Sequence, residues 1–364
     1  GAQNVESKLS QGRPLLPRIF ENGRVLLNSY RAISRTIQEE RAITPAAEWL
    51  VDNFHIVDEQ LREIYDDLPP GYYHKLPKLV SGHLQGYPRV FGVAWAFVAH
   101  TDSRFDPEAL RRFVAAYQRV QPLTIGELWA VAISLRVVLV ENLRRLAERI
   151  VRSRAARHEA DVLADRLLVS DDKSAAFAVA ALQSSEKTPL ERSFVVQLVQ
   201  RLRDLDPKVG PVLLWLGQRL AEAGTTVDDI VRIEHQQEGA TSVSVRNIIT
   251  SMRLLSAFDW QEFVESISLV DEILRKDSQF ADMDFATRDD YRHAIEDLSR
   301  GSNCPEMEVA RRVVRRAQQV RLGPNLNDAA RPDQDRQSDP GYHLISQGRP
   351  AFERELGFHL SWRR

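Results

Sequence analysis

The chain has 364 residues, with 49 lysines and arginines against 51 aspartates and glutamates, and 43% of it is hydrophobic. A formal charge of −2 gives no bulk attraction to nucleic acid or anionic lipid, which leaves only local basic patches for such partners. The lone cysteine, Cys304, excludes an internal disulfide and a thiolate metal site and fits a reducing compartment.

The length admits one large helical array or two domains. The longest apolar runs, "VFGVAWAFVAH" and "LWAVAISLRVVLV", fall short of the roughly 20 residues that cross a bilayer, and the second carries Arg136. No secretory signal opens the chain and Gly1-Ala2 reads as an expression scar, so the expectation is a soluble piece in the cytoplasm.

Apolar residues recur at helical spacing almost throughout, which predicts an all-α fold with little or no β. Residues 1–16 read as a flexible N-terminus and 17–320 as a helical domain. Thr44 is placed to cap a helix, Pro45 suits its first position, and Leu50, Phe54, Val57, Leu61 and Ile64 form one stripe. That helix is expected to end near Leu68, where Pro69-Pro70-Gly71 stops it.

Thr124 and Glu127 form a capping box ahead of a long run without proline, with Ser153 and His158 as places for a break. The run predicts a spine helix about 66 Å long. A second box, Thr188 to Glu191, opens a helix carrying Phe194, Val195, Leu198 and Leu202, which sets a sub-boundary near 170–188. Asp206-Pro207 opens the next, and helices of about 12 to 20 residues follow, divided at "EAGTTVDD", "EGATS", "KDSQFADMD" and "SRGSNCP". Short turns between them predict antiparallel hairpins around the long helix. Residues 321–341 read as a linker, and 342–364 as a docking element with a short strand and one helix.

No phosphate-cradling glycine loop, zinc-protease motif or nucleophile elbow occurs. The nine histidines include no pair at ligand spacing, so no metal site is expected. The "DMD" triplet at Asp282–Asp284 has the look of a diphosphate-metal clamp, but no strand precedes it, and Asp284 reads better as a helix N-cap. Paired carboxylates across a cavity would suit glycoside chemistry, against which stand 8% aromatics and few glycine loops. No catalytic residue is assigned.

Two patches are candidates for contacts. Tyr72, Tyr73, Lys75 and Lys78 in "PGYYHKLPKL", with Tyr87 and Arg89 in "GYPRVFG", combine aromatic and basic groups for a sugar or nucleotide. The plainer alternative is a proline turn whose tyrosines plug a helical groove and whose lysines stay in water. Arg144, Arg145, Arg149 and Arg152 form a basic helix face for docking to protein or to a membrane surface; a second basic run is "EVARRVVRRAQQVR". The bland reading of both runs is a solvated face.

Several segments, among them "ITPAAEWLVDNFHIVDEQLREIYDDLPPGYYHKLPKL", "GYPRVFGVAWAFVAHTDSRFD" and "MDFATRDDYRHAIEDLSR", resemble the N-terminal cytoplasmic region of bacterial cyclic β-1,2-glucan synthases. The resemblance extends over nearly the whole chain. It implies an inner-membrane enzyme that polymerises glucose from UDP-glucose with a divalent metal, then cyclises the glucan. It also implies transmembrane and glycosyltransferase portions of the same polypeptide as partners, and no nucleic acid. The family's metal motif and glycosidase carboxylates have no matching positions here. The resulting expectation is a non-catalytic scaffold or regulatory domain; the alternatives are a glycan- or nucleotide-binding domain and an all-α glycoside-active enzyme.

Overall fold

The computed structural model describes residues 5–6, 15–39, 42–67, 75–169, 190–203, 210–276, 278–322 and 336–359. Among them the chain forms fifteen α-helices and one two-residue antiparallel ladder, Val5–Glu6 (β1) on Lys78–Leu79 (β2), so the all-α expectation holds. In α1 (Leu15–Gln38), Leu15, Ile19, Leu26 and Ile33 are buried along one face, as helical periodicity requires.

The single helix expected from Thr44 onward is two, α2 (Pro45–Asp52) and α3 (Phe54–Asp67). Thr44 does cap, its hydroxyl accepting from the Ala47 N–H at 3.4 Å. The break falls at Asn53, whose φ of −112° and ψ of 18° leave the helical region. Its side-chain amide donates to the Trp49 carbonyl at 2.9 Å, the local competition with the backbone that makes asparagine a poor helix-interior residue. The apolar stripe continues across the break, with Leu50, Val57, Leu61 and Ile64 buried.

Next come α4 (Arg89–His100) and α5 (Pro107–Gln118), then the spine, α6 (Ile125–Val169), whose 45 residues pass Ser153 and His158 unbroken. Its start is the expected box: the Thr124 hydroxyl accepts from the Glu127 N–H at 3.2 Å, and the Glu127 carboxylate accepts from the Thr124 N–H at 2.9 Å. Helices α1, α3 and α4 pack against α6, together with α7 (Arg192–Leu202) and α9 (Val227–Ala257).

Helix α7 runs parallel to α6, because Ser153 meets Ser193, Asp161 meets Gln197 and Asp165 meets Arg201, numbers rising together. Residues 170–189 lie between the two helices, and only short turns force antiparallel neighbours. Helix α9 follows α8 (Gly210–Glu222) and runs antiparallel to α7, pairing Glu234 with Ser193 and Asp228 with Arg203. The "EGATS" segment, expected to divide two helices, lies inside α9. It holds no proline, Gly239 costs a helix only about 1 kcal/mol, and Thr241 is buried with its hydroxyl donating to the Gln237 carbonyl at 2.7 Å.

Beyond α9 come α10 (Trp260–Ile267), α11 (Leu269–Arg275), a 3₁₀ turn at Gln279–Asp282, α12 (Phe285–Ser302) and α13 (Glu306–Arg321). Phe263, Val264 and Ile267 of α10 join the main core, and the elements after it build a second core from Leu274, Phe280, Ile295 and Val313, which Leu344, Phe352 and Leu356 complete. The described part of the closing element is two short helices, α14 (Pro340–Ile345) and α15 (Arg349–Leu356), where a strand and a helix were expected. Asp339 caps α14 by accepting from the Gly341 N–H at 2.7 Å, and Pro340 and Pro350 favour helical first turns, so "YHLI" has no room to extend as a strand.

Candidate functional site

Tyr72 and Tyr73 lie outside the described residues. Lys75 is exposed, whereas Lys78, Tyr87 and Arg89 all turn inward. Lys78 sits in the β ladder with its ammonium pushed below the usual lysine range by burial. The Tyr87 hydroxyl accepts from Arg18 at 2.8 Å, and its ring packs against Phe91. Arg89 opens α4 and forks onto the Glu127 carboxylate, with a further hydrogen bond to the Pro122 carbonyl at 3.0 Å. Burial disfavours the Arg89 charge, but the Glu127 hydrogen bonds and charge outweigh it and raise its pKa.

The four arginines of the basic face divide into two pairs. Arg144 and Arg145 gather on Glu141, and Arg144 also donates to Glu148 at 2.7 Å. The Arg145 guanidinium lies 4.7 Å from the centroid of the Trp95 ring. Glu141 is buried and accepts from both ends of the Arg18 guanidinium at 2.9 Å and from the Asn22 amide at 2.8 Å. Burial alone would raise its pKa; the Arg18 and Asn22 hydrogen bonds with the Arg18 and Arg144 charges prevail and hold it at about 2.

Arg149 and Arg152 are exposed and line a cleft of about 780 Å³. Its walls are the C-terminal half of α6, the start of α2, the start of α7 and the first half of α9. From α6, Ser153 donates to Ser193 at 2.7 Å, and Ser193 in turn donates to the buried Glu234 carboxylate at 2.7 Å. Arg157 pairs with Glu238 and lies 3.8 Å from Glu234. Among the described residues the lining is hydroxyls, guanidiniums, carboxylates, the amides of Gln197 and Gln237, the imidazole of His158 and small apolar side chains, without a Phe, Tyr or Trp. The parallel packing of α7 on α6 creates it by bringing the start of α7 to the middle of the spine.

No protein-family model matches the chain. It is 36% identical over 365 aligned positions to the cyclic beta-(1,2)-glucan synthase NdvB of Rhizobium meliloti, an alignment that takes in 98% of the chain. The chain is thus related to a segment of a cyclic β-(1,2)-glucan synthase. It spans 13% of that synthase's length.

In this synthase-related segment, no helix among the described residues is long and apolar enough to cross a membrane. Arg136, which interrupts the apolar run of α6, pairs with Glu63 at 2.8 Å. The "DMD" triplet does not fit a metal clamp, because Asp284 is the N-cap of α12, its carboxylate accepting from the Thr287 N–H at 2.8 Å.

Sequence reasoning passed over Glu127 as an ion-pair partner, Glu141 and the cleft carboxylate Glu234. Glu141 carried a usable signal, being a single acid inside the apolar stretch "VVLVENL", where a carboxylate needs a dedicated cation. The cleft had no signal, since it depends on how α7 returns to α6.

Proposed function

We propose that the chain is a non-catalytic accessory module, a scaffold or regulatory domain, of a membrane-bound synthase making cyclic β-1,2-glucan from UDP-glucose. The observation that carries this reading is the inward turn of Lys78, Tyr87 and Arg89, three of the six ligand candidates, with Tyr87 bonded to Arg18 and Arg89 to Glu127. The relationship of the whole chain to a segment of such a synthase supports it further. In this reading the module lies on the cytoplasmic side of the inner membrane and docks on the transmembrane and glycosyltransferase portions of its own polypeptide. Glucose transfer from UDP-glucose, with its divalent metal, is the work of those portions.

Deletion of this segment from the full-length synthase tests the proposal, with membrane insertion, chain initiation and cyclisation measured separately. Impaired insertion, or impaired assembly with the transferase, is the expected result. Normal insertion and assembly with loss of initiation alone would overturn the scaffold reading in favour of substrate delivery.

A further inference from the structure

We infer that the cleft between α2, α6, α7 and α9 binds a small phosphate ester carried on a hydroxyl-rich body. The first observation is unspent positive charge. Arg149 and Arg152 line the cleft and make no ion pair or side-chain hydrogen bond among the described residues. They stand three residues apart on α6, the spacing that puts two side chains side by side on one helix face. A guanidinium pair so placed suits an anion with several oxygens, because each fork takes two oxygens at once.

The cleft's acids leave that charge standing. Asp161 is bonded to Gln197 and Arg201, Glu238 to Arg157, and Glu234 to Ser193. Glu191 is the one lining carboxylate without a partner among the described residues, against two such arginines. Arg192 adds a cation whose hydrogen bond, 3.2 Å, is to the neutral amide of Gln237. The start of α7 faces this space and Glu191 at its N-cap makes no side-chain cap bond, so the positive end of that helix adds to the arginines, whereas α2 is already capped by Thr44.

The second observation fixes the body of the ligand. The chain of hydrogen bonds from Ser153 through Ser193 to Glu234 directs its protons inward and leaves the Ser153 oxygen as an acceptor at the wall. A ligand hydroxyl is the matching donor. With no Phe, Tyr or Trp among the described lining residues and the small imidazole of His158 as their one ring, a neutral sugar or a nucleobase has little stacking surface, so the phosphate is the anchor. A volume of about 780 Å³ admits either a sugar phosphate or a nucleotide sugar.

This inference stands apart from the accessory-module reading, which the deletion experiment decides without reference to the cleft. The test titrates the chain with α-glucose 1-phosphate, UDP-glucose, inorganic pyrophosphate and a neutral gluco-oligosaccharide by calorimetry. At least one ester is expected to bind more tightly than pyrophosphate, and the oligosaccharide not to bind. Equal binding of the two esters assigns the site to sugar phosphates, and tighter UDP-glucose to nucleotide sugars. The double variant Arg149→Ala/Arg152→Ala is expected to weaken the ester at least about tenfold with its melting temperature unchanged, since neither side chain has a partner to lose among the described residues. Ser153→Ala is expected to weaken the ester and leave pyrophosphate unaffected. Failure of both esters at millimolar concentration, full binding by the double arginine variant, or pyrophosphate binding as tightly as either ester would each overturn the proposal.

Discussion

The guanidinium of Arg89 and the carboxylate of Glu127 form a two-pronged ion pair withdrawn from water, their side chains 3% and 0% exposed. The pair joins the first residue of α4 to the capping box that starts α6, so one carboxylate both caps the spine and neutralises its neighbour. Removing one partner strands the other's charge in the interior. Arg89→Ala is therefore expected to cost about 3–5 kcal/mol in urea denaturation, and Arg89→Met/Glu127→Leu to recover much of it apart from the lost cap. A loss below about 1 kcal/mol for the single variant would place Arg89 back among residues free to meet a ligand.

How far the sequence reached is visible in these same residues. The Thr124-Glu127 box and the unbroken run behind it announced α6, because capping and proline exclusion are local and need no knowledge of the fold. The "EGATS" segment was misread for the complementary reason, as packing that buries Thr241 lets a weak helix signal hold, while the break at Asn53 is a local side-chain bond to the Trp49 carbonyl that the apolar stripe across it concealed. The basic face Arg144 to Arg152 was legible as a composition and not as a site. Glu141 lies a turn from Arg144 and Arg145 and absorbs them, while Arg149 and Arg152 open onto a cleft made by the parallel return of α7.

Glu306 gives the molecule a stability slope on the neutral side. Its carboxyl, 9% exposed at the start of α13, accepts from the Ile125 N–H of α6 at 2.7 Å. Burial, with the nearby Glu296 and Glu127 charges, pushes its pKa to about 7 against the opposing Ile125 hydrogen bond and Arg300 charge. A group held above its ordinary 4.5 is worth most to the fold below that value, and the contribution is lost as pH rises through 7. Thermal denaturation from pH 4.5 to 7.5 is expected to show a decline on the order of 2–3 kcal/mol that Glu306→Gln abolishes. An unchanged slope in the variant would assign the decline to another group.

Glu141 sets the opposite slope. With its pKa held at about 2, its contribution is complete above 4.5 and disappears as the pH falls toward 2. Glu141→Gln should lose on the order of 3 kcal/mol at pH 7 and flatten the acid limb of the stability profile. An acid limb identical to that of the parent chain would show that the Arg18–Glu141–Asn22 cluster adds no net stability.

Gly341 marks how tightly the closing element docks. A Cβ there would lie 1.9 Å from the Tyr291 hydroxyl, which donates to Asp339 at 2.6 Å and is not free to swing aside. Gly341→Ala is expected to cost about 1–3 kcal/mol and to loosen α14 and α15 from α12 and α13. Limited proteolysis should then cleave within residues 336–359 sooner than in the parent chain; equal rates would mean that the overlap is relieved at no cost.

The central claim is that this chain serves a synthase without performing chemistry itself. Its most direct test is an assay of the purified chain for UDP-glucose hydrolysis and for cleavage of β-1,2-glucan, with each acid of the cleft substituted in turn. The account predicts no turnover of either compound, even where a phosphate ester occupies the cleft. Turnover abolished by a single substitution such as Glu234→Gln or Asp161→Asn would contradict it.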